Sequence, residues 1–205
     1  MIIKKSAILF ILFFVMSLPV WANEMTGNIN LIAGKKIWSD DWDPISKQDE
    51  FGVSFDIKDK SWPVSIVIEA FDSSGEKTEI MPTYQGAEVA TLRSIEAITR
   101  EYCFGIKKII DIQSAPVKPF LGVGLAYVIN EIDGKFFQNF NDHSISTFSV
   151  DDSTLGFWMS GGIYVTFFDR INAGVIARMS WAEADFNKKF EVGGEHYGIF
   201  IGYHW

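Results

Sequence analysis

From Glu195 to Trp205 the chain reads EHYGIFIGYHW, and two kinds of position take turns. Tyr197, Ile199, Ile201, Tyr203 and Trp205 are large and apolar or aromatic. His196, Gly198, Phe200, Gly202 and His204 are mostly small or polar. Successive side chains of an extended strand point to opposite faces. The stretch therefore predicts a strand with one continuous greasy face. A soluble sheet rarely closes on such a strand. A membrane barrel does, because its outer face meets lipid and its inner face meets a narrow lumen.

The same alternation recurs along the chain. Gly27 to Trp38 sets Ile29, Leu31, Ala33 and Ile37 against Asn28, Asn30, Gly34 and Lys36. After a charged segment, Ser39 to Gln48, Phe51, Val53, Phe55 and Ile57 oppose Glu50, Gly52, Ser54 and Asp56. From Trp62 onward, Val64, Ile66, Ile68 and Ala70 oppose Ser65, Val67, Glu69 and Phe71. The polar stretch Asp72 to Ala90 reads as a loop. A fourth strand, roughly Ile95 to Ile110, puts Tyr102, Phe104 and Ile106 opposite Glu101, Cys103, Gly105 and Lys107. Pro119 to Ile132 and Thr154 to Phe168 supply the fifth and sixth strands, with Asp133 to Ser153 expected as a loop. Ile171 to Trp181 follows a tight turn at Asp169-Arg170, and a loop from Glu183 to Gly193 leads to the last strand. Eight strands result, joined alternately by long loops and short turns. That is the pattern of an all-β, eight-stranded antiparallel transmembrane barrel, with both termini on the short-turn side.

Composition narrows the setting. Residues 1–22 carry Lys4 and Lys5, an apolar run from Ala7 to Val15, and small residues at Val20 and Ala22, and read as a cleaved signal peptide. The barrel domain then spans 23–205. The whole chain has 18 basic against 26 acidic residues, and loss of Lys4 and Lys5 makes the balance more acidic. That argues against nucleic acid as a partner. Cys103 is the lone cysteine, so neither an intrachain disulfide nor a cysteine-based metal site is expected.

The signal segment, the eight alternating segments and the terminal GIFIGYHW together resemble the small eight-stranded outer-membrane barrels, the superfamily of outer membrane proteins A, X and W. The segment KKIWSDDWDPISKQDEFGVSFDI, followed by WPVSI, is similar to uncharacterised bacterial outer-membrane barrel proteins. The resemblance implies a cell outer membrane location and outer-membrane lipid and lipopolysaccharide as surroundings. It also implies handling by the barrel assembly machinery, which reads a closing strand of this kind. The glycine spacing before Trp205 is not the commonest form of that signal. The resemblance brings no catalytic residue and no cofactor, and fold alone implies little about function.

Candidate chemistry sits on the inward faces. Lys36, Asp56, Glu69, Glu101, Lys107 and Arg178 point into the lumen by parity. Charges there must pair or reach water, so a polar network filling the barrel is expected. His196 and His204 share a face but lie roughly 26 Å apart along a strand, too far to hold one metal. His143 beside Ser144 is the seed of an enzymatic reading, a lipid A-modifying enzyme. Asp40, Asp41 and Asp43 could meet a divalent cation, though a solvated acidic loop is the plainer reading. Trp62, Tyr203 and Trp205 are expected at one membrane interface, and Trp38 and Trp181 at the other. The function expected is an integral outer-membrane protein with a structural or interaction role and a filled lumen. The alternatives are a narrow solute channel, the enzyme, and a soluble lipocalin-like barrel.

Overall fold

The computed structural model describes residues 25–38, 45–81, 91–112, 115–138, 144–185 and 189–205. Its strands are β1 (Met25–Ile37), β2 (Lys47–Asp59), β3 (Ser65–Met81), β4 (Thr91–Ile109), β5 (Val117–Gln138), β6 (Ser144–Phe167), β7 (Ile171–Trp181), β8 (Glu183–Asp185), β9 (Lys189–Glu191) and β10 (Gly194–His204). Eight of them close a barrel in the order β1-β10-β7-β6-β5-β4-β3-β2. The short β8 and β9 pair with each other in the connection between β7 and β10.

Closure is made by the stretch that dominates the sequence. β10 runs antiparallel to β1 from Asn28↔His204 to Ile37↔Glu195. Beyond the last pair, Gly27 and Trp205 exchange backbone hydrogen bonds at 3.2 Å each way. Thr26 Oγ1 donates to the Trp205 carbonyl at 2.7 Å. The Trp205 ring rests on Phe55 with centroids 5.6 Å apart. The seam leaves no free strand edge in the barrel.

The strands are staggered. Paired residues traced from Ile32 through β2, β3, β4 and β5 lead to Thr154 on β6. Traced the other way, through β10 and β7, they lead to Tyr164. The register thus slips by ten residues in one circuit, from 154 to 164, the shear that tilts barrel strands.

Side-chain direction follows the parity read from the sequence on every barrel strand. Large apolar residues such as Phe157, Ile199 and Leu121 stand outside with 60% or more of their surface exposed. Charged and polar residues are buried inside. The outer band ends toward the loop side at ionic rows. Lys35 pairs with Asp49 there. Arg100 reaches Glu131 at 2.6 Å and Asp72 at 3.4 Å. These exposed and part-buried pairs contribute little stability, but they cap the apolar band.

Several expectations are corrected. The stretch from Asp72 is not a loop at first, since β3 continues to Met81 and β4 starts at Thr91. Most of the expected loop Asp133 to Ser153 is a hairpin: β5 reaches Gln138 and β6 begins at Ser144. These strands have 22 and 24 residues, against 11 in β7 and in β10. A membrane crossing needs about 9–11. The asymmetry between the two ends therefore lies more in strand length than in loop length. Above the apolar band both strand faces are wet, so the two-residue hydrophobic period fades while backbone pairing continues. Trp38 is not an interfacial anchor. It is buried with Ile45, Ile95 and Ala97 at the loop end of the lumen, because its even position, just past β1, points inward. At the other end, Arg170 N–H donates to the Phe167 carbonyl at 3.0 Å, and Phe168 and Asp169 sit at φ 52° and 59°. Positive φ at both central residues is what a tight hairpin turn requires.

Glycines line the inside wall where bulk must enter from elsewhere. Gly105 faces Gly124 across β4 and β5. A Cβ on Gly124 would strike the Phe104 carbonyl, and one on Gly105 the Val123 carbonyl. The space they leave takes the Trp158 indole, fully buried, with Nε1 donating to the Leu125 carbonyl at 3.0 Å. Gly124→Val is expected to cost at least about 1–3 kcal/mol by overpacking. A lower urea midpoint in lipid vesicles, with less of the fast-migrating unboiled species on a gel, checks this.

Candidate functional site

The lumen is spanned by side chains reaching between strands that are not neighbours. At the turn end, Asn28 on β1 donates through Nδ2 to Asp56 Oδ1 at 2.8 Å. Asp56 Oδ2 also pairs with Lys107 Nζ at 3.0 Å. Asn172 on β7 donates to Asn28 Oδ1 at 2.7 Å, and Thr166 donates to Asn172 at 2.9 Å. His204 Nδ1 lies 2.9 Å from Asn28 Oδ1. A cavity of about 10 Å³ is bounded by these groups, enough for a single water molecule.

Next along the axis lies a mostly apolar layer. Ile32, Phe71, Phe120, Tyr164, Ile176 and Phe200 form one buried cluster. The rings of Phe120, Tyr164 and Phe200 meet with centroids 6.1–6.2 Å apart. Such tilted and edge-on pairs are favourable beyond simple burial.

The larger polar group follows, centred on Glu101. Its carboxylate takes Lys36 Nζ at 2.6 Å and Arg178 Nη1 at 2.9 Å. All three side chains are essentially sealed from solvent. Lys36 also donates to the Val192 carbonyl at 3.0 Å. Arg178 donates to Cys103 Sγ at 3.1 Å and stacks 3.8 Å from the centre of the Phe71 ring. Phe71 stands on β3, directly across the barrel from β7 in the strand order. A desolvated guanidinium over a ring is worth about 2 kcal/mol. His196 Nδ1 sits 2.6 Å from Glu50 Oε2 and 3.0 Å from Arg178 Nη2. Its Nε2 sits 3.0 Å from Ser180 Oγ. Ser73 donates to Glu50 Oε2 at 3.1 Å.

The six residues read from the sequence are thus all inside. Lys36, Glu101 and Arg178 converge, and Asp56 and Lys107 form a second pair. Glu69 joins neither group by a hydrogen bond. It lies in register beside Ser54 and Cys103, and its two carboxylate oxygens receive no hydrogen bond from the described residues. Glu50 and His196 belong to the network but were not singled out. Their inward parity was the available signal. Cys103 is buried and inward, as expected. His143 and the acidic run Asp40 to Asp43 lie outside the described residues.

Ser180, His196 and Glu50 have the connectivity of a hydroxyl–imidazole–carboxylate relay. A nucleophile must also reach a substrate. Ser180 is only 2% exposed, and its Oγ lies within 3.5 Å of the Glu101 carboxylate as well. The arrangement serves mutual satisfaction of buried groups.

This is a closed, inside-out, eight-stranded antiparallel barrel. No family model matches the chain, and no curated protein matches it in sequence. Among solved structures, the outer membrane protein OprG from Pseudomonas aeruginosa is similar with TM-score 0.51 and 9% identity, over 87% of this chain and 96% of that one. A major outer membrane protein from Thermus thermophilus has TM-score 0.48 and 7% identity, over 88% and 99%. Neisserial surface protein A has TM-score 0.47 and 12% identity, over 87% and 96%. At such identities OprG carries the argument to the fold and no further.

Breaking a buried ion pair by removing one partner costs about 3–5 kcal/mol, because the other charge is stranded. Lys107→Met is expected to lose that much stability. Adding Asp56→Leu to Lys107→Met is expected to restore most of it. Equilibrium unfolding of both variants in lipid vesicles measures the difference.

Proposed function

We propose that this protein is an integral barrel of the bacterial outer membrane, exported by its N-terminal segment, with a structural or interaction role and a lumen closed to solutes. Support for the membrane setting comes from the outer wall. A belt of exposed Leu, Ile, Val and Phe encircles the barrel, far beyond the apolar patch a monomer keeps in water. The soluble lipocalin-like alternative requires the opposite polarity.

The closed lumen rests on one observation: contacts cross the axis. Arg178 from β7 lies on Phe71 from β3, and Lys36 from β1 binds Glu101 from β4. A solute would have to part these pairs and expose their charges. The interaction role is carried by the tall hairpins β3–β4 and β5–β6. They continue past the apolar band and offer paired, largely polar surface on the side away from the tight turns. Outer-membrane lipid and lipopolysaccharide are the surroundings this reading implies, with the barrel assembly machinery as partner during insertion.

Planar-bilayer recording tests the closed lumen. Purified folded protein is expected to give no unitary conductance steps in salt solution. Regular steps would establish the channel reading in its place.

A further inference from the structure

The outer wall is notched across β6 and β7. One register row runs Leu121, Gly161, Ala177, Tyr197 over β5, β6, β7 and β10. The sequence is large, small, small, large. Ile163 and Val175 rise beside the two small residues, and the whole forms a groove of about 630 Å³. It spans three strand spacings, about 14 Å from the β5 backbone to that of β10.

The glycine in this row is not required by the wall. Cβ atoms on inward Gly105, Gly124, Gly162 or Gly174 would strike a backbone carbonyl. On Gly161 a Cβ would meet only the tip of Leu121 at 3.2 Å and the Phe120 carbonyl oxygen at 3.7 Å. A strand glycine is often found at a bulge, at a bend or where a ligand or another backbone approaches closely. Gly161 faces outward, so the open side here is the outside of the barrel.

We infer that the groove seats an acyl chain of a glycerophospholipid, an inference that rests on the membrane setting proposed above. The rim side chains Leu121, Ile163 and Val175 are apolar. The Tyr197 hydroxyl turns aside to donate to Glu195 at 2.6 Å. An empty notch would forfeit dispersion contacts on its whole lining. A flexible hydrocarbon chain fills it without needing a complementary shape. The groove extends toward the turn end, to Ile110 and Pro119. Exposed Lys108 on β4 flanks the groove, in register with the rim residue Leu121. Its ammonium uses one donor on the Pro63 carbonyl at 2.6 Å, which leaves two for a lipid phosphate.

The test uses the full folded barrel in vesicles of phosphatidylethanolamine and phosphatidylglycerol. The protein is re-extracted in mild detergent, and retained phospholipid is counted by native mass spectrometry. Wild type is expected to keep a bound phospholipid that Gly161→Leu loses. Ala177→Leu fills the same notch from another exposed position and is expected to lose it too. Equal retention by all three barrels would overturn the inference while leaving the membrane reading intact. So would a wild-type dimer that Gly161→Leu dissolves, since a second copy would then be the occupant. Failure of wild type to insert into the vesicles would overturn both.

Discussion

A carboxylate sealed inside an apolar-walled barrel has only the other lumen side chains to answer its charge. Glu101 is the sharpest case, with Lys36 and Arg178 against it from two other strands. Desolvating such groups costs several kcal/mol each, and attraction in a low-dielectric interior offsets that only with close, well-made contacts. The rest of the structure follows from this requirement. The contacts form only if β1, β4 and β7 stand at fixed distances, which demands closure. Closure demands the β1–β10 seam. The seam in turn needs a last strand that is apolar outward and small or polar inward.

The lumen is accordingly layered. Two polar groups alternate with apolar ones along the axis, and the Trp38 cluster separates the upper group from the loop end. Layering keeps water from the ion pairs and holds Glu101 against Lys36 and Arg178, and Asp56 against Lys107. It also explains the inward glycines. Arg178, Trp158 and the ring cluster need volume, and positions such as Gly105 and Gly124 supply it.

The fold was legible in the sequence because the two-residue period reports burial directly. Ile29 and Asn28 could be assigned to opposite faces without coordinates. The same signal failed above the apolar band. In Asp133 to Ser153 both faces are wet, so no period distinguishes the β5–β6 hairpin from a loop. It failed differently at Trp38, where residue type suggested an interface and parity already said inward. The site was half legible. Parity gave six charged residues in the lumen, but which ones meet depends on a shear that no single strand encodes. Glu50 and His196 are far apart in sequence and become partners only through that shear. The Gly161–Ala177 notch was equally invisible, since it exists only once β6 and β7 are paired.

One measurement tests directly whether the barrel is inverted and packed. With Cys103 replaced by serine, single spin-labelled cysteines are placed at each position from Leu121 to Val128 on β5 in lipid vesicles. Their collision rates with oxygen and with a water-soluble nickel complex are then recorded. Odd positions are expected to meet oxygen freely and even positions to meet neither agent. Even positions open to the nickel complex would contradict the packed barrel by showing a water-filled lumen. Odd positions open to the nickel complex would contradict the inverted barrel by placing the apolar face in water.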